Sequence, residues 1–295
     1  MEIRFIKNYQ DDPVLRKSFN ELTQKTYRFD FEEWYQRGYW KENYQPYSAA
    51  VGDRIVANVS VNPMVFSVDG EEKRYMQLGT VMTDPAFRGQ GLSRKLMEWV
   101  LSEWQEKCDM VFLFANDSVL DFYPKFGFTA RTEYQAVKTV DPAPSSLTVR
   151  HMDLSDPEDC RLLYETARST FPQEKLSMLQ NGNLILFYCR CFSRWNIGRH
   201  AYHIPELNAV AIATYDEDTL ELYDVFAPQE VSLDDVIAAL AKPETRKIAP
   251  TFLPKDLSGW EVTPYHPEDT TLFTLGKEGE RFEQTPLRFP ELSHT

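Results

Sequence analysis

The stretch from Tyr75 to Trp104, YMQLGTVMTDPAFRGQGLSRKLMEWVLSEW, constrains the chain more than any other. A β-prone run stops at a proline. A loop with two glycines flanking one residue follows. Then comes an amphipathic helix in which Leu92, Leu96, Val100 and Trp104 recur every fourth residue, with Leu101 beside them. A helix that starts directly after glycines offers unpaired backbone N–H groups and the positive end of its dipole. Arg88 adds a cation in front, and the whole reads as an anion cradle suited to a phosphate. Two phosphate loops do not fit. The P-loop needs a lysine after its last glycine, and none stands there. In the dinucleotide loop the third glycine would fall on Arg94, and Asp109, at the distance of the expected acid, begins the next strand instead of ending it.

Around this core the first half reads as alternating elements. MEIRFI is an opening strand, and PVLRKSFNELTQKTY is a helix with Val14, Leu15, Phe19 and Leu22 at helical spacing. FDFEEWYQRGYWKENY, aromatic and charged together, suits a short helix and loop beside a substrate cleft. Three strands follow, broken by the hairpin signals GD and DGEE. After the glycine loop and its helix come a buried strand, CDMVFLFAN, a short helix, DSVLDFYPKFGF, and a closing strand, TEYQAVKTV.

Two prolines and two serines in DPAPSS mark a linker over 141–147, between domains at 1–140 and 148–295. The second half restarts with the strand LTVRHMD and the helix DPEDCRLLYETAR. LELYDVFAP aligns under YMQLGTVMTDP, each a strand ending in a proline with a helix after it, which points to a degenerate internal repeat. The second copy has QEVSLDD in place of RGQGLSR. It lacks both glycines and the arginine and sets acids at the helix start, where a phosphate would be repelled.

Composition narrows the partners. The net charge of −13 argues against nucleic acid, and no apolar run is long enough to span a membrane. There is no signal-like apolar stretch at the N-terminus. Cys108, Cys160, Cys189 and Cys191 lack CxxC spacing and read as free thiols of a reducing, cytoplasmic compartment. His151, His200, His203 and His266 are scattered, so no metal site is expected.

VMTDPAFRGQGLSRKL resembles the acyl-CoA-binding motif of the GNAT (GCN5-related N-acetyltransferase) family in its R-G-x-G form, matched by Arg88, Gly89 and Gly91. FLFANDSVLDFYPKFGF looks like the family's second motif, a strand leading to a tyrosine-bearing helix. The resemblance covers roughly residues 1–140. It implies an α/β chain of mixed α+β sheets, with a GNAT fold in the N-terminal half and a degenerate GNAT-like domain behind it. It also implies acetyl transfer from acetyl-CoA to the primary amine of a small molecule by direct attack. The pyrophosphate would sit on the amides of Arg88, Gly89, Gln90, Gly91, Leu92 and Ser93. The pantetheine arm would pair with the backbone of Val81 and Thr83, and the Met82 amide would polarise the thioester carbonyl. Val81 and Met82 read equally as sheet core.

The match places Tyr123 as the acid that protonates the departing thiolate, with packed aromatic as the plainer reading. Asn116 contacts the cofactor or caps a helix, and Phe122 packs on the CoA arm or the core. No acid lies on the strand before the loop, and Asp84, just past it, reads as a capping residue, which leaves the base to a water relay. Relatives of the enhanced-intracellular-survival class place their terminal carboxylate in the site. The tail TPLRFPELSHT is apolar enough to dock, so Thr295 is a candidate with His294 alongside, against a tail packed elsewhere on the surface. Glu32 and Glu33 attract a cationic acceptor or form a solvated helix face. The competing function is a sensor that binds CoA or an acyl-CoA without chemistry. A homo-oligomer is compatible with the sequence and not required by it.

Overall fold

The computed structural model describes residues 2–142, 144–192 and 196–295. Met1 of the opening strand and Ala143 of the 141–147 stretch lie outside the described residues. In chain order the strands are β1 (Ile3–Lys7), β2 (Gln45–Val51), β3 (Arg54–Val68), β4 (Glu71–Thr83), β5 (Met110–Ala115), β6 (Thr129–Arg131), β7 (Glu133–Thr139) and β8 (Arg150–His151). They continue with β9 (Leu176–Leu179), β10 (Ala201–Ile204), β11 (Ala209–Asp216), β12 (Thr219–Phe226), β13 (Lys247–Pro250), β14 (Glu261–Tyr265) and β15 (Thr271–Leu275). The helices are α1 (Pro13–Tyr27), α2 (Glu32–Gln36), α3 (Leu92–Trp104), α4 (Pro157–Arg168), α5 (Gly182–Leu186), α6 (Leu233–Leu240) and α7 (Arg281–Gln284).

Local chemistry sets these elements. The Asp12 side chain accepts the N–H groups of Val14 and Leu15, and Pro13 opens α1 where its missing N–H costs nothing. Asp69 and Gly70 both take positive φ, 49° and 87°, the two-residue turn whose twist suits the β3–β4 hairpin. The stretch expected as a helix over DSVLDFYPKFGF is instead two short 3₁₀ turns, Asp117–Val119 and Tyr123–Phe126. Pro124 cannot donate a helical hydrogen bond, and its ring obstructs the preceding turn.

Two sheets result, with the same order. One runs β1-β2-β3-β4-β5-β15-β6, with β9 added along the far end of β3. The other runs β8-β10-β11-β12-β13-β7-β14. In each, an antiparallel hairpin (β3–β4, β11–β12) leads through a crossover helix (α3, α6) to a parallel strand (β5, β13). The internal repeat is therefore a repeat of topology. Aligned on Pro85 and Pro228, Thr80 falls opposite Tyr223, and both lie in register bulges: β4 and β12 each carry one extra residue there.

The sheets also trade a strand. β7, expected to close the first sheet, lies between β13 and β14 in the second. β15, from the C-terminal half, fills the matching place between β5 and β6 in the first. A division at 141–147 thus leaves each of these strands in the sheet of the other half.

Both faces of the first sheet are covered, which explains the unbroken apolar runs of its central strands. α3 packs Leu92, Leu96, Met97 and Val100 against one face. The other carries α1, the second lobe and the tail, with Phe289 stacked on Phe112 at 4.1 Å and Leu287 and Leu292 buried beside it. The tail is also pinned through its backbone. Tyr134 N–H donates to the Leu287 carbonyl, and Phe289 N–H donates to the Glu133 carboxylate at 2.8 Å.

Phe289→Ala should lower the free energy of unfolding by about 3–5 kcal/mol, the usual cost of emptying a buried aromatic site; urea unfolding measures it. Burial pushes the Glu133 carboxyl up to about 7, against the pull of Phe289 N–H and Arg288. A raised carboxyl contributes stability that is full below its ordinary value of 4.5 and is lost as pH rises through about 7. Glu133→Gln keeps an acceptor for Phe289 and removes the charge, so the fall in stability between those pH values should flatten.

Candidate active site

β4 and β5 pair only over Tyr75–Gln77 and Met110–Phe112, then part. The gap between their C-terminal ends opens a cleft of about 860 Å³. Of the residues singled out in the sequence, Val81, Met82, Thr83, Arg88, Ser93, Asn116, Phe122, Tyr123 and Thr295 line it. Past Gln77 the edge of β4 that faces β5 has no strand partner among the described residues, which leaves room beside it for an added extended chain.

Gly89 and Gly91 both take left-handed φ, 77° and 72°, and a Cβ built on either would meet nothing within 4 Å. Glycine is required there by backbone conformation, and the space in front stays open. Gly91 caps α3 without any side-chain hydrogen bond, and no acid stands in the helix's first turn. Gln90 is exposed with the glycines, whereas Leu92 turns into the core. Arg88 reaches back to the Thr83 carbonyl at 3.4 Å, and Thr83 and Ser93 share a hydroxyl hydrogen bond of 2.7 Å. α6 is the contrast. Ser232 caps it through Asp235 N–H, and Asp234 and Asp235 fill its first turn. Of these two crossover helices, α3 is the one whose start is free of acids and of a side-chain cap.

The β4 bulge puts Thr80 at φ 43° and spreads Thr80 and Val81 opposite Val59 alone. A buried polar network fixes it, and this network was not read from the sequence. Thr80 Oγ1 hydrogen-bonds Ser60 Oγ and Tyr44 Oη, each at 2.7 Å. Asn58 donates to Ser60 Oγ at 2.9 Å and to the Thr80 carbonyl at 3.0 Å, while Ser48 bridges Asn58 to Tyr9. α1 adds a second hold. Tyr27 Oη donates to the Val81 carbonyl at 2.8 Å, and Thr23, one turn earlier, touches Met82 Sδ. Thr23 and Tyr27 continue the Phe19 stripe at i+4 spacing, so polar groups inside an apolar stripe were the available signal.

Tyr123 is buried at the cleft wall, and desolvation raises its phenol to about 12. Asn116 also lines the cleft, but its side chain caps the 3₁₀ turn after it through Ser118. Phe122 stands edge-on to Tyr123 and Phe126. Asp84 is held by Lys25 and Arg54 and by Ala86 N–H, which keep its carboxyl near 2 despite burial. It is a capping residue, as expected. Glu32 ties α2 to Arg16 and Asn20 of α1 and also bonds Gln36, and Glu33 pairs with Arg37 one turn on, so both carboxylates are already engaged.

The tail ends in the cleft. A Cβ on Gly79 would stand 2.8 Å from the Thr295 carbonyl oxygen and from its hydroxyl, so Gly79 is the seat on which Thr295 rests. Tyr188 Oη donates to the His294 carbonyl, and the His294 ring stacks on Phe114 at 3.7 Å. Burial pushes the His294 pKa down, which keeps the ring neutral.

A family model described as an acetyltransferase (GNAT) domain matches residues 13–131. The first lobe is a GNAT acetyltransferase domain. Solved structures align over nearly all of the chain. A probable N-acyltransferase from Enterococcus faecalis V583 is 16% identical, with a TM-score of 0.61, over 96% of this chain and 74% of that one. Eis1 from Mycobacterium abscessus is 13% identical, with a TM-score of 0.55, over 92% and 73%. A GCN5-related N-acetyltransferase from Anabaena variabilis is 14% identical, with a TM-score of 0.55, over 91% and 72%. At these identities the likeness is one of fold, and it extends the GNAT domain's architecture across both lobes. Among the described residues no helix is long and apolar enough to cross a membrane, and no three metal-ligating side chains gather.

If Thr295 is seated on Gly79, Gly79→Ala must lift it. Carboxypeptidase should then release Thr295 and His294 several-fold faster than from the wild type. Equal rates would contradict the seat.

Proposed function

We propose that this GNAT domain transfers an acetyl group from acetyl-CoA to the primary amine of a small molecule by direct attack. The observation that carries the reading is the parted β4–β5 pair, with a pinned bulge on one wall and an open, glycine-started helix at its mouth. Acetyl-CoA supplies an activated thioester. Arg88 to Ser93 hold its phosphates by backbone N–H groups and the α3 dipole. Val81 and Thr83 pair with the pantetheine arm; Met82, in register with Asn58, turns its own amide toward β3, so the amide that polarises the thioester carbonyl belongs to the open edge of β4 and not to Met82.

The amine nitrogen attacks the carbonyl carbon as the C–S bond breaks, and the sulfur leaves with the electron pair. Tyr123 gives that sulfur its proton. A phenol near 12 stays protonated throughout the neutral range, and the burial that raises it raises the thiol's pKa in the same direction. The Thr295 carboxylate takes the amine's proton. Among the described residues lining the cleft, Asp269 is the one side-chain carboxylate, and it already accepts Asp117 N–H. That scarcity of bases is also what favours the second reading, a CoA sensor without turnover.

CoA thiol release across a panel of primary amines tests both. Tyr123→Phe should lower turnover by roughly 100-fold, the low end for loss of a general acid, and leave acetyl-CoA affinity unchanged. Deleting Ser293, His294 and Thr295 should abolish turnover with acetyl-CoA still bound. Full turnover in the deletion would remove Thr295 from the mechanism. Acetyl-CoA binding without turnover of any amine would favour the sensor.

A further inference from the structure

Behind Thr295 lies a second cavity, of about 130 Å³, lined by Phe29, Phe31, Trp34, Tyr44, Leu184, Phe187, Tyr188 and Phe192. Phe29 and Thr295 line both it and the acetyl-CoA cleft, so the two spaces meet at those residues. Three parts of the chain build it: the aromatic segment around α2, the α5 segment of the second lobe with the π-helical turn Phe187–Cys191, and the tail. Among the described residues, no charged side chain lines it. The polar tips of its aromatics are already engaged. Trp34 donates to the Asn183 carbonyl, Tyr44 belongs to the network under the bulge, and Tyr188 holds the His294 carbonyl. What faces the cavity is hydrocarbon. The exception is at the junction, where the Thr295 hydroxyl is buried with no hydrogen-bond partner among the described residues.

We propose that this cavity holds the body of the acceptor, and that the acceptor is an arylalkyl amine: one uncharged six-membered ring with a primary amine on a short aliphatic arm. The inference rests on the acetyl-transfer reading and names its substrate class. Size and chemistry both select for it. A dry apolar cavity of about 150 Å³ accepts a benzene ring, and the space here is of that order. A ring seated against the wall that Phe31, Trp34 and Phe187 form together leaves its amine pointing past Thr295 into the cleft, where the Thr295 hydroxyl offers a polar atom. A sugar or a polyamine entering the cavity would strand hydroxyls or ammonium groups against hydrocarbon. Starting from the ammonium form, the acceptor first gives up one proton; transfer then joins the amine nitrogen to the acetyl carbon as the C–S bond breaks, the nitrogen's second proton balances the one that makes CoA its thiol, and the product is a neutral N-acetyl arylalkyl amide.

The test is calorimetric titration of the full chain, saturated with CoA, with benzylamine, phenethylamine, putrescine and glucosamine, followed by CoA release with the same four. The aryl amines should bind at least about tenfold tighter than the other two and should be the ones acetylated. Leu184→Trp fills the cavity and should abolish their binding while acetyl-CoA affinity holds. Leu184→Ala enlarges it and should shift preference toward naphthyl-substituted amines, which keeps the test sharp if the tryptophan variant does not fold. Aryl amines binding no tighter than glucosamine, or insensitive to both changes at Leu184, overturn the inference. Turnover of putrescine or glucosamine with the aryl amines inert also overturns it, yet leaves acetyl transfer standing. Failure to bind acetyl-CoA at all sinks the transfer reading instead, and the titration still decides whether the cavity takes a ring.

Discussion

The exchange of β7 and β15 is the constraint on which the rest of the molecule depends. Each strand hydrogen-bonds on both sides to strands of the other half of the chain, β7 to β13 and β14, β15 to β5 and β6. Removing either would leave two rows of backbone donors and acceptors without partners in the sheet interior. The lobes are therefore joined by buried main-chain ladders as well as by side-chain packing. The exchange also decides where the chain finishes. Because β15 lies inside the first sheet, the residues after it start at that sheet and need only α7 and a short extended run to reach Gly79.

The duplicated bulge shows what the two lobes share and where they diverge. A bulge at Thr80 and a bulge at Tyr223 are the same backbone device in two copies. Under the first, buried hydroxyl and amide side chains satisfy one another: Tyr9, Tyr44, Ser48, Asn58, Ser60 and Thr80. Buried polar groups are tolerable only when so paired, and once paired they hold the backbone to one shape. The second copy carries the buried Asp224 next to its bulge, with Glu174 and Ser177 close by, and burial raises both carboxyls. Its helix start is closed by Ser232. The second lobe has kept the frame without the open helix start, while its α5 segment supplies a wall to the aromatic cavity behind Thr295.

Much of this was legible because periodicity and turn chemistry are local. The α1 limits follow from Asp12-Pro13 and a helical stripe, the β3–β4 hairpin follows from Asp69-Gly70, and the open cradle follows from Gly89 and Gly91. The acidic start of α6 told the same story in reverse. What escaped was whatever depends on long-range pairing. TEYQAVKTV reads as a strand from its alternation, but nothing in it says which sheet accepts it. β9, β14 and β15 are four or five residues long, too short to assert a period. The bulge network escaped for another reason. Asn58, Ser60 and Thr80 are ordinary strand residues in sequence and become a unit only when β3 and β4 are set in register with one residue to spare.

The same logic bears on Gly79. In sequence it is a glycine inside a strand, which weakens a strand and needs a reason. The bulge next to it is not that reason, since Gly79 does not take a left-handed φ. The reason is a chain end more than two hundred residues away, which approaches until a single methyl group would collide with Thr295. Strand exchange, tail path and glycine are thus one arrangement. β15 sets the origin of the tail, Phe289 on Phe112 and the hold at Glu133 set its course, and the missing side chain at Gly79 lets Thr295 settle between the β4–β5 cleft and the aromatic cavity.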